Sequence, residues 1–251
     1  MNYKLNYKEI HTNGILSAYV KYFWRYEHTG EDTEYTILPD ACFDLVVDFE
    51  NNVLENIYLT GIWTKPITLT VTKGATLLAV RFKMLASEYL IQREINSLLN
   101  SMTILPKDYW NINSLKSDEF ELFASDLSEK MLEIIKQQHE IDTRKLTLFN
   151  LIYSEQFHHV SALSKMTGWN SRQINRYFTE QIGCPLKTLL NIVRCNASYP
   201  NIAEGKLYPE KEYTDQSHFI KEIKKYTENS PGQLHKNEND RFLQLSAFKV
   251  G

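Results

Sequence analysis

The chain of 251 residues reads as α+β: a β-rich N-terminal domain with helices, followed by an all-α domain. Three observations predict this. Residues 1–84 are dense in β-branched and aromatic side chains, with stretches of period two, as pleated strands are. From residue 117 onward, apolar residues recur at steps of three and four, the period of helices. Charge also divides along the chain. Residues 158–236 carry eleven Lys and Arg against seven Asp and Glu, whereas residues 1–157 carry fifteen against twenty-two. A basic module beside an acidic one is the arrangement expected when only the module meets phosphate.

The length suits two domains of ordinary size. Met1-Asn-Tyr-Lys leads into no apolar run, so no signal segment is expected. No stretch reaches the roughly 18–20 apolar residues of a membrane span, and no membrane partner is expected. Cys42, Cys184 and Cys195 are scattered and odd in number, which reads as reduced thiols in a cytoplasmic protein. They have no His or Cys companions at metal spacing, so no zinc site or other cofactor is expected.

In chain order, Tyr19 to Tyr26 (YVKYFWRY) predicts a strand. Pro39-Asp40 breaks the chain before a second strand, Phe43 to Phe49, and Asn51-Asn52 marks a turn before Val53. Ile67-Thr68-Leu69-Thr70-Val71 alternates strictly, and Lys73-Gly74 turns it towards Thr76–Phe82, which predicts a hairpin. Trp24, Trp63 and the tyrosines could line a ligand pocket or, more simply, pack the β core. Asp40 reads as a turn cap, and Asp44 and Asp48 as solvated strand positions. None has the positioned partner that acid-base chemistry needs, so no catalytic residue is expected.

Residues 86–99 and 117–138 predict helices. In the second, Phe120, Phe123, Leu127, Met131 and Ile134 form a near-heptad seam, serving either a dimer contact or packing on the β domain. A third helix, Arg144 to Gln156, leads into the next unit without a Gly/Ser linker, which implies stiff coupling. The tail after Leu234 remains unassigned.

Residues 160–182, VSALSKMTGWNSRQINRYFTEQI, carry the most information. Val160, Leu163 and Met166 make one apolar stripe. Gly168 sits where a helix stops in a left-handed conformation, and Trp169 can plug the gap behind it. Asn170 caps a second helix, with Gln173 placed for a capping box. On that helix Ile174, Tyr177, Phe178 and Gln181 face inward, while Arg172, Asn175, Arg176 and Thr179 face outward with Gln173 at the edge. So short a turn forces a steep crossing, as in a helix-turn-helix. Arg reads guanine and Asn or Gln reads adenine in a major groove. The alternative is a solvated face of an ordinary bundle.

The stretch LSKMTGWNSRQINRYFTEQIGCPLKTLLNIVR (163–194), followed by TDQSHFIKEIKKYTENSPGQL (214–234), resembles the AraC/XylS-type regulators over about a third of the chain. LPDACFDLVVDF, LTGIWTKPITLTV and LLAVRFK are similar to an N-terminal domain found in one branch of them. The resemblance implies a helix-turn-helix DNA-binding domain with two reading helices, 171–182 and 215–227. From their shared exposed arc, Arg172 and Arg176 with Gln173 and Asn175 are expected to read bases, with Thr179 on the same DNA-binding arc, and Ser217, His218, Lys221 and Lys224 are expected to contact mainly phosphates. On the second helix Phe219, Ile223 and Tyr226 make the core stripe, and Asp215 caps. Residues 205–215 depart from the family. They lack an apolar helical period, Pro209 interrupts them, and Pro200 should bend or end the linker helix.

The expected divisions are residues 1–140 for sensing or dimerisation, 141–236 for DNA binding and 237–251 as a tail. A transcription regulator is the leading expectation, with double-stranded DNA as partner and a small-molecule effector and a homodimer as further candidates. An interaction or ligand-binding protein with a degenerate second unit is the alternative. An alkyl-transfer repair enzyme bearing this module would need a four-cysteine zinc site, and the three cysteines here are wrongly placed.

Overall fold

A computed structural model describes residues 6–138, 140–154, 159–208 and 213–248. Its N-terminal strands are β1 (Asn6–His11), β2 (Val20–Glu27), β3 (Thr33–Ile37), β4 (Phe43–Glu50), β5 (Val53–Thr60), β6 (Ile67–Val71), β7 (Ala75–Phe82) and β8 (Met102–Leu105). Six make an antiparallel sheet in the order β1-β2-β7-β4-β5-β8, while β3 and β6 pair as a second, two-stranded sheet. Short helix α1 (Ala86–Tyr89) and long helix α2 (Phe120–Lys136) complete this half, and the rest is helical. The chain is α+β, as the two periodicities indicate.

The large sheet is covered on one face and, over β2 and β7, on the other. On one, Phe23, Leu45, Val47, Leu78 and Val80 are buried together with Phe123, Leu127 and Met131 of α2, and the Phe23 and Phe123 rings meet edge to face at 6.1 Å. On the other, Trp24, Tyr26 and Ala79 are buried with Tyr35 of β3. Phe120, Phe123, Leu127 and Met131 are therefore core positions, and Ile134 packs half-buried against them. Of the two readings of that seam, packing on its own β domain is the one observed.

The β4–β5 hairpin forms at Asn51-Asn52, where both residues have positive φ (49° and 66°), as a two-residue turn requires. The expected β6–β7 hairpin does not form. β6 pairs with β3 (Tyr35 opposite Leu69), and β7 pairs with β2 and β4. The turn at Lys73-Gly74 instead carries the chain between sheets: the Gly74 amide donates to the His28 carbonyl, and the His28 amide to that of Ala75. Strict alternation specifies a strand with one apolar face but not its partner.

Residues 86–99 are not one helix. After α1 the chain turns through Gln92 at φ 57° and regains only a single 3₁₀ turn at Asn96–Leu98. Helix α3 spans Thr143–Tyr153, and the rest of its expected length, beyond Ser154, lies outside the described residues.

Asp44 is buried rather than solvated. It faces Arg81 across the β4–β7 ladder, with 3.7 Å between guanidinium and carboxylate, and accepts a 3.0 Å bond from Trp24 Nε1. Asp40 pairs with the same Arg81 and accepts the Cys42 amide, so it does cap its turn. Strand alternation was misleading here because Arg81 and Trp24 reach the carboxyl from neighbouring strands and the Asp40 loop closes on the same guanidinium. Asp48 is half-buried, and burial raises its pKa.

Burial pushes the Asp44 carboxyl from 3.8 up to about 7, against the opposing pull of Trp24 and Lys21. The folded state therefore holds a proton that the unfolded chain releases between those values. Stability from this group is greatest at the acid end and declines as pH rises to about 7. Urea titrations at pH 4, 5.5 and 7 should show the stability gap between wild type and Asp44→Asn shifting against wild type over this window and levelling above it. A gap that does not vary with pH would show that Asp44 ionises normally.

Candidate nucleic-acid interface

After α3 come α4 (Val160–Thr167), α5 (Ser171–Ile182), α6 (Leu186–Ala197), α7 (Tyr199–Ala203), α8 (Gln216–Thr227), α9 (Pro231–Lys236) and α10 (Leu243–Phe248). Helix α4 ends at Gly168 in the left-handed region (φ 66°, ψ 16°). Two residues later Asn170 caps α5, its side chain accepting the Gln173 amide at 2.9 Å. Trp169 is buried at 5.4 Å from the Tyr177 ring, filling the corner between the helices. Leu163, Ile174, Phe178 and Ile182 are fully buried, and Phe149 of α3 meets Phe178 at 5.5 Å.

Two details of this unit differ from the expected ones. Met166 is 51% exposed, and Thr167 is the buried residue of that turn, its hydroxyl donating to the Leu163 carbonyl. The capping box lies not at Asn170/Gln173 but at Ser230/Gln233, at the start of α9.

The outer arc of α5 presents Arg172, Gln173, Arg176 and Thr179 to solvent, with Asn175 half-buried. The Asn175 amide donates to the Ser171 carbonyl at 3.0 Å, so part of its hydrogen-bonding capacity is already used. The Thr179 hydroxyl likewise donates to the Asn175 carbonyl. Beside this arc, a cleft of about 280 Å³ of mixed charge is lined by Gln173, Arg176, Lys145, Trp169, Tyr177 and Arg144 together with Asp142 and Glu180. Arg144, which sequence reading did not single out, is held by Asp142 through two side-chain bonds and lies 5.6 Å from the Trp169 ring centre. Its position beside α5 depends on α3 folding back, which local periodicity does not reveal.

The second unit begins with a break. Helix α6 ends at Ala197, and Pro200 sits in the first turn of α7, where its missing N–H costs least. Among the described residues of 204–215 there is no helix, and Pro209 lies outside them. Asp215 caps α8 by accepting the His218 amide at 2.8 Å. Phe219, Ile223 and Tyr226 are buried, and Ser217, Lys221 and Lys224 are exposed. His218 is half-buried, its Nδ1 accepting the Thr214 amide. Both expected arcs thus exist on the surface, the first on a complete helical unit and the second on a shortened one.

The inner arc of α5 meets the N-terminal half. Tyr177 donates to Glu88 of α1, the Ile95 amide donates to the Gln181 carbonyl, and Gly183 follows at φ 92°. A Cβ on Gly183 would lie 2.8 Å from the Asn96 carbonyl oxygen, whereas one on Gly168 would meet nothing within 4 Å. Cys42, Cys184 and Cys195 are buried free thiols. Among the described residues no group of three or more His, Cys, Asp or Glu gathers to hold a metal, and no helix is long and apolar enough to cross a membrane.

Residues 8–103 match a family model described as a domain of unknown function, DUF6597. No curated protein matches the chain. Among solved structures, the chain is similar to an apo variant of ToxT from Vibrio cholerae at 12% identity, over 89% of this chain and 98% of that one, with a TM-score of 0.41. It is similar to unsaturated fatty acid bound wild-type ToxT at 12% identity, over 89% and 96%, with a TM-score of 0.42. What α5 can do follows from its own geometry rather than from these likenesses.

The two left-handed glycines make a direct comparison. Gly168→Ala should cost only the backbone penalty, about 1–2 kcal/mol. Gly183→Ala should cost that plus an overpacking cost of roughly 1–3 kcal/mol, because its neighbour is main chain. Urea midpoints of the two variants would check this, and equal losses would mean that the Asn96 contact is not made.

Proposed function

We propose that this chain is a DNA-binding transcription regulator of the AraC type. On this reading residues 1–140 form a sensing or dimerising platform, residues 141–236 read DNA, and the tail follows from 237. The observation that carries it is α5. It is capped by Asn170, set off from α4 by a short turn through left-handed Gly168, buried along one side and lined with Arg172, Gln173 and Arg176 on the other. A helix so presented fits the major groove, where its N-terminal side chains reach base edges. Asn175 and Thr179 take lesser parts, since both already bond the backbone of their own helix.

Ser217, His218, Lys221 and Lys224 on α8 suit phosphate contacts, which position without specifying. A small-molecule effector remains a candidate partner for the N-terminal domain. If the chain forms a homodimer, it must use a surface other than the α2 seam, which is already inside the molecule. The family resemblance of 163–194 and 214–234 agrees with this reading.

Gel-shift titration against salt on a duplex selected from genomic fragments tests it. Affinity should fall steeply as salt rises, as it does when lysines and arginines displace counterions from phosphates; a flat response removes the reading. Arg172→Ala or Arg176→Ala should cost roughly 1–3 kcal/mol and relax preference at particular base pairs. Lys221→Ala or Lys224→Ala should weaken selected and random duplexes alike and lower the salt slope by about 1.

A further inference from the structure

We infer that residues 87–96 of the N-terminal domain are a built-in brace for α5, so that base discrimination depends on how firmly the β half holds the reading helix. This rests on the DNA-reading role proposed above. The last carbonyls of a helix have no partners within it. In α5 two of them are bonded from the other half of the molecule: Glu180 O accepts from Asn96 Nδ2 at 2.6 Å, and Gln181 O accepts from the Ile95 amide at 2.9 Å. Gln181 returns the contact, its Nε2 donating to Arg93 O at 3.0 Å and Ser87 Oγ at 3.2 Å.

One turn earlier, the Tyr177 hydroxyl donates to one oxygen of Glu88 at 2.9 Å. The other oxygen of Glu88 pairs with Lys145 of α3 at 2.5 Å. Burial holds the Tyr177 phenol far above its usual pKa, so it stays a donor at any pH in which the protein is studied. The Glu88–Lys145 pair is mostly withdrawn from water, with side chains 30% and 17% exposed. Gly183 completes the contact, because any larger residue would push the Asn96 main chain away.

The brace holds α5 without covering its reading arc. It engages Tyr177, Glu180, Gln181 and Gly183, on the inner arc and the last turn, and leaves Arg172, Gln173 and Arg176 exposed. Its role is therefore positioning rather than blocking. Helix α5 has 12 residues and is roughly 18 Å long, so a tilt of about 10° at the braced end moves its first turn by about 3 Å. That displacement breaks a bidentate hydrogen bond to a base, which needs a donor within about 3.2 Å of its acceptor. A flexible lysine on a phosphate follows such a movement far more easily.

The experiment uses the full chain with Glu88→Ala, Glu88→Gln and Asn96→Ala. Fluorescence anisotropy reads binding to the selected duplex and to a random one, and hydrogen exchange reads the amides of 177–183. Asn96→Ala changes no charge, so it separates positioning from electrostatics. It should weaken the selected duplex by about tenfold, leave the random duplex unchanged and speed exchange in 177–183. Glu88→Ala should do the same on the selected duplex, and Glu88→Gln, which still accepts from Tyr177, should recover part of the loss.

Selected-site affinity that stays constant or rises in Asn96→Ala overturns the inference, as does an equal loss on both duplexes. If the wild type binds no duplex, the DNA-reading role fails. The brace is then judged by exchange alone: faster exchange confined to α5 upholds a mechanical hold, and unchanged exchange in Asn96→Ala and Glu88→Ala overturns it.

Discussion

Burial of both faces at the centre of the six-stranded sheet is the constraint on which the rest of the molecule depends. A sheet covered on one side needs only alternation, but one covered on both must satisfy every polar side chain it encloses. Arg81 meets that demand in the middle of the sheet, standing between Asp40 and Asp44 while Trp24 donates to the latter. The two-stranded layer of β3 and β6 lies beside this cluster, where Tyr35 packs with Trp24, Tyr26 and Ala79. Covering that face also takes β6 away from β7, its nearest neighbour in sequence.

The helical half adds no separate core. Buried side chains run without interruption from Val80 and Phe123 through Tyr89 and Leu98 to Phe149, Phe178 and Leu189. The outer arc of α5 is therefore exposed by default, as what remains after its other side joins a core that begins in the sheet. Side chains on such an arc can point at a partner without any loop having to order first, so the ordering entropy is spent in folding rather than in binding.

Local chemistry was legible in the chain wherever it is self-contained. Gly168, Asn170 and the Ile174–Phe178 spacing specify a helix, a turn and a second helix within fifteen or so residues, and Asn51-Asn52 specifies its hairpin. The Phe120–Met131 stripe likewise identifies a buried helix face, though the same spacing would suit a dimer. What the sequence left open depends on distant partners. β6 could pair with either of two strands, and the Asp44 carboxyl is enclosed by Trp24 and Arg81, which reach it from other strands. Residues 86–99 do not continue as one helix because the chain reverses at Gln92 and Ile95 and Asn96 bond the end of α5, a partner distant in sequence. At the interface the arcs of α5 and α8 were readable from periodicity. The Arg144 side chain, brought in by the fold-back of α3, and the grip of Ile95 and Asn96 on α5 were not.

The segment beyond α9 has a consequence for how the molecule can be divided. The Thr36 amide donates to Arg241 O, and Leu38 exchanges two hydrogen bonds with the side chain of Gln244. Strand β3 is thereby clasped to residues about two hundred positions away, and the chain is tied into a ring. A cut anywhere between α2 and α9 that discards one piece opens this ring. Discarding the piece that follows such a cut strips partners from Thr36 and Leu38 and leaves β3 an edge that invites pairing with other chains. Fragments of this protein should therefore associate or precipitate more readily than the whole.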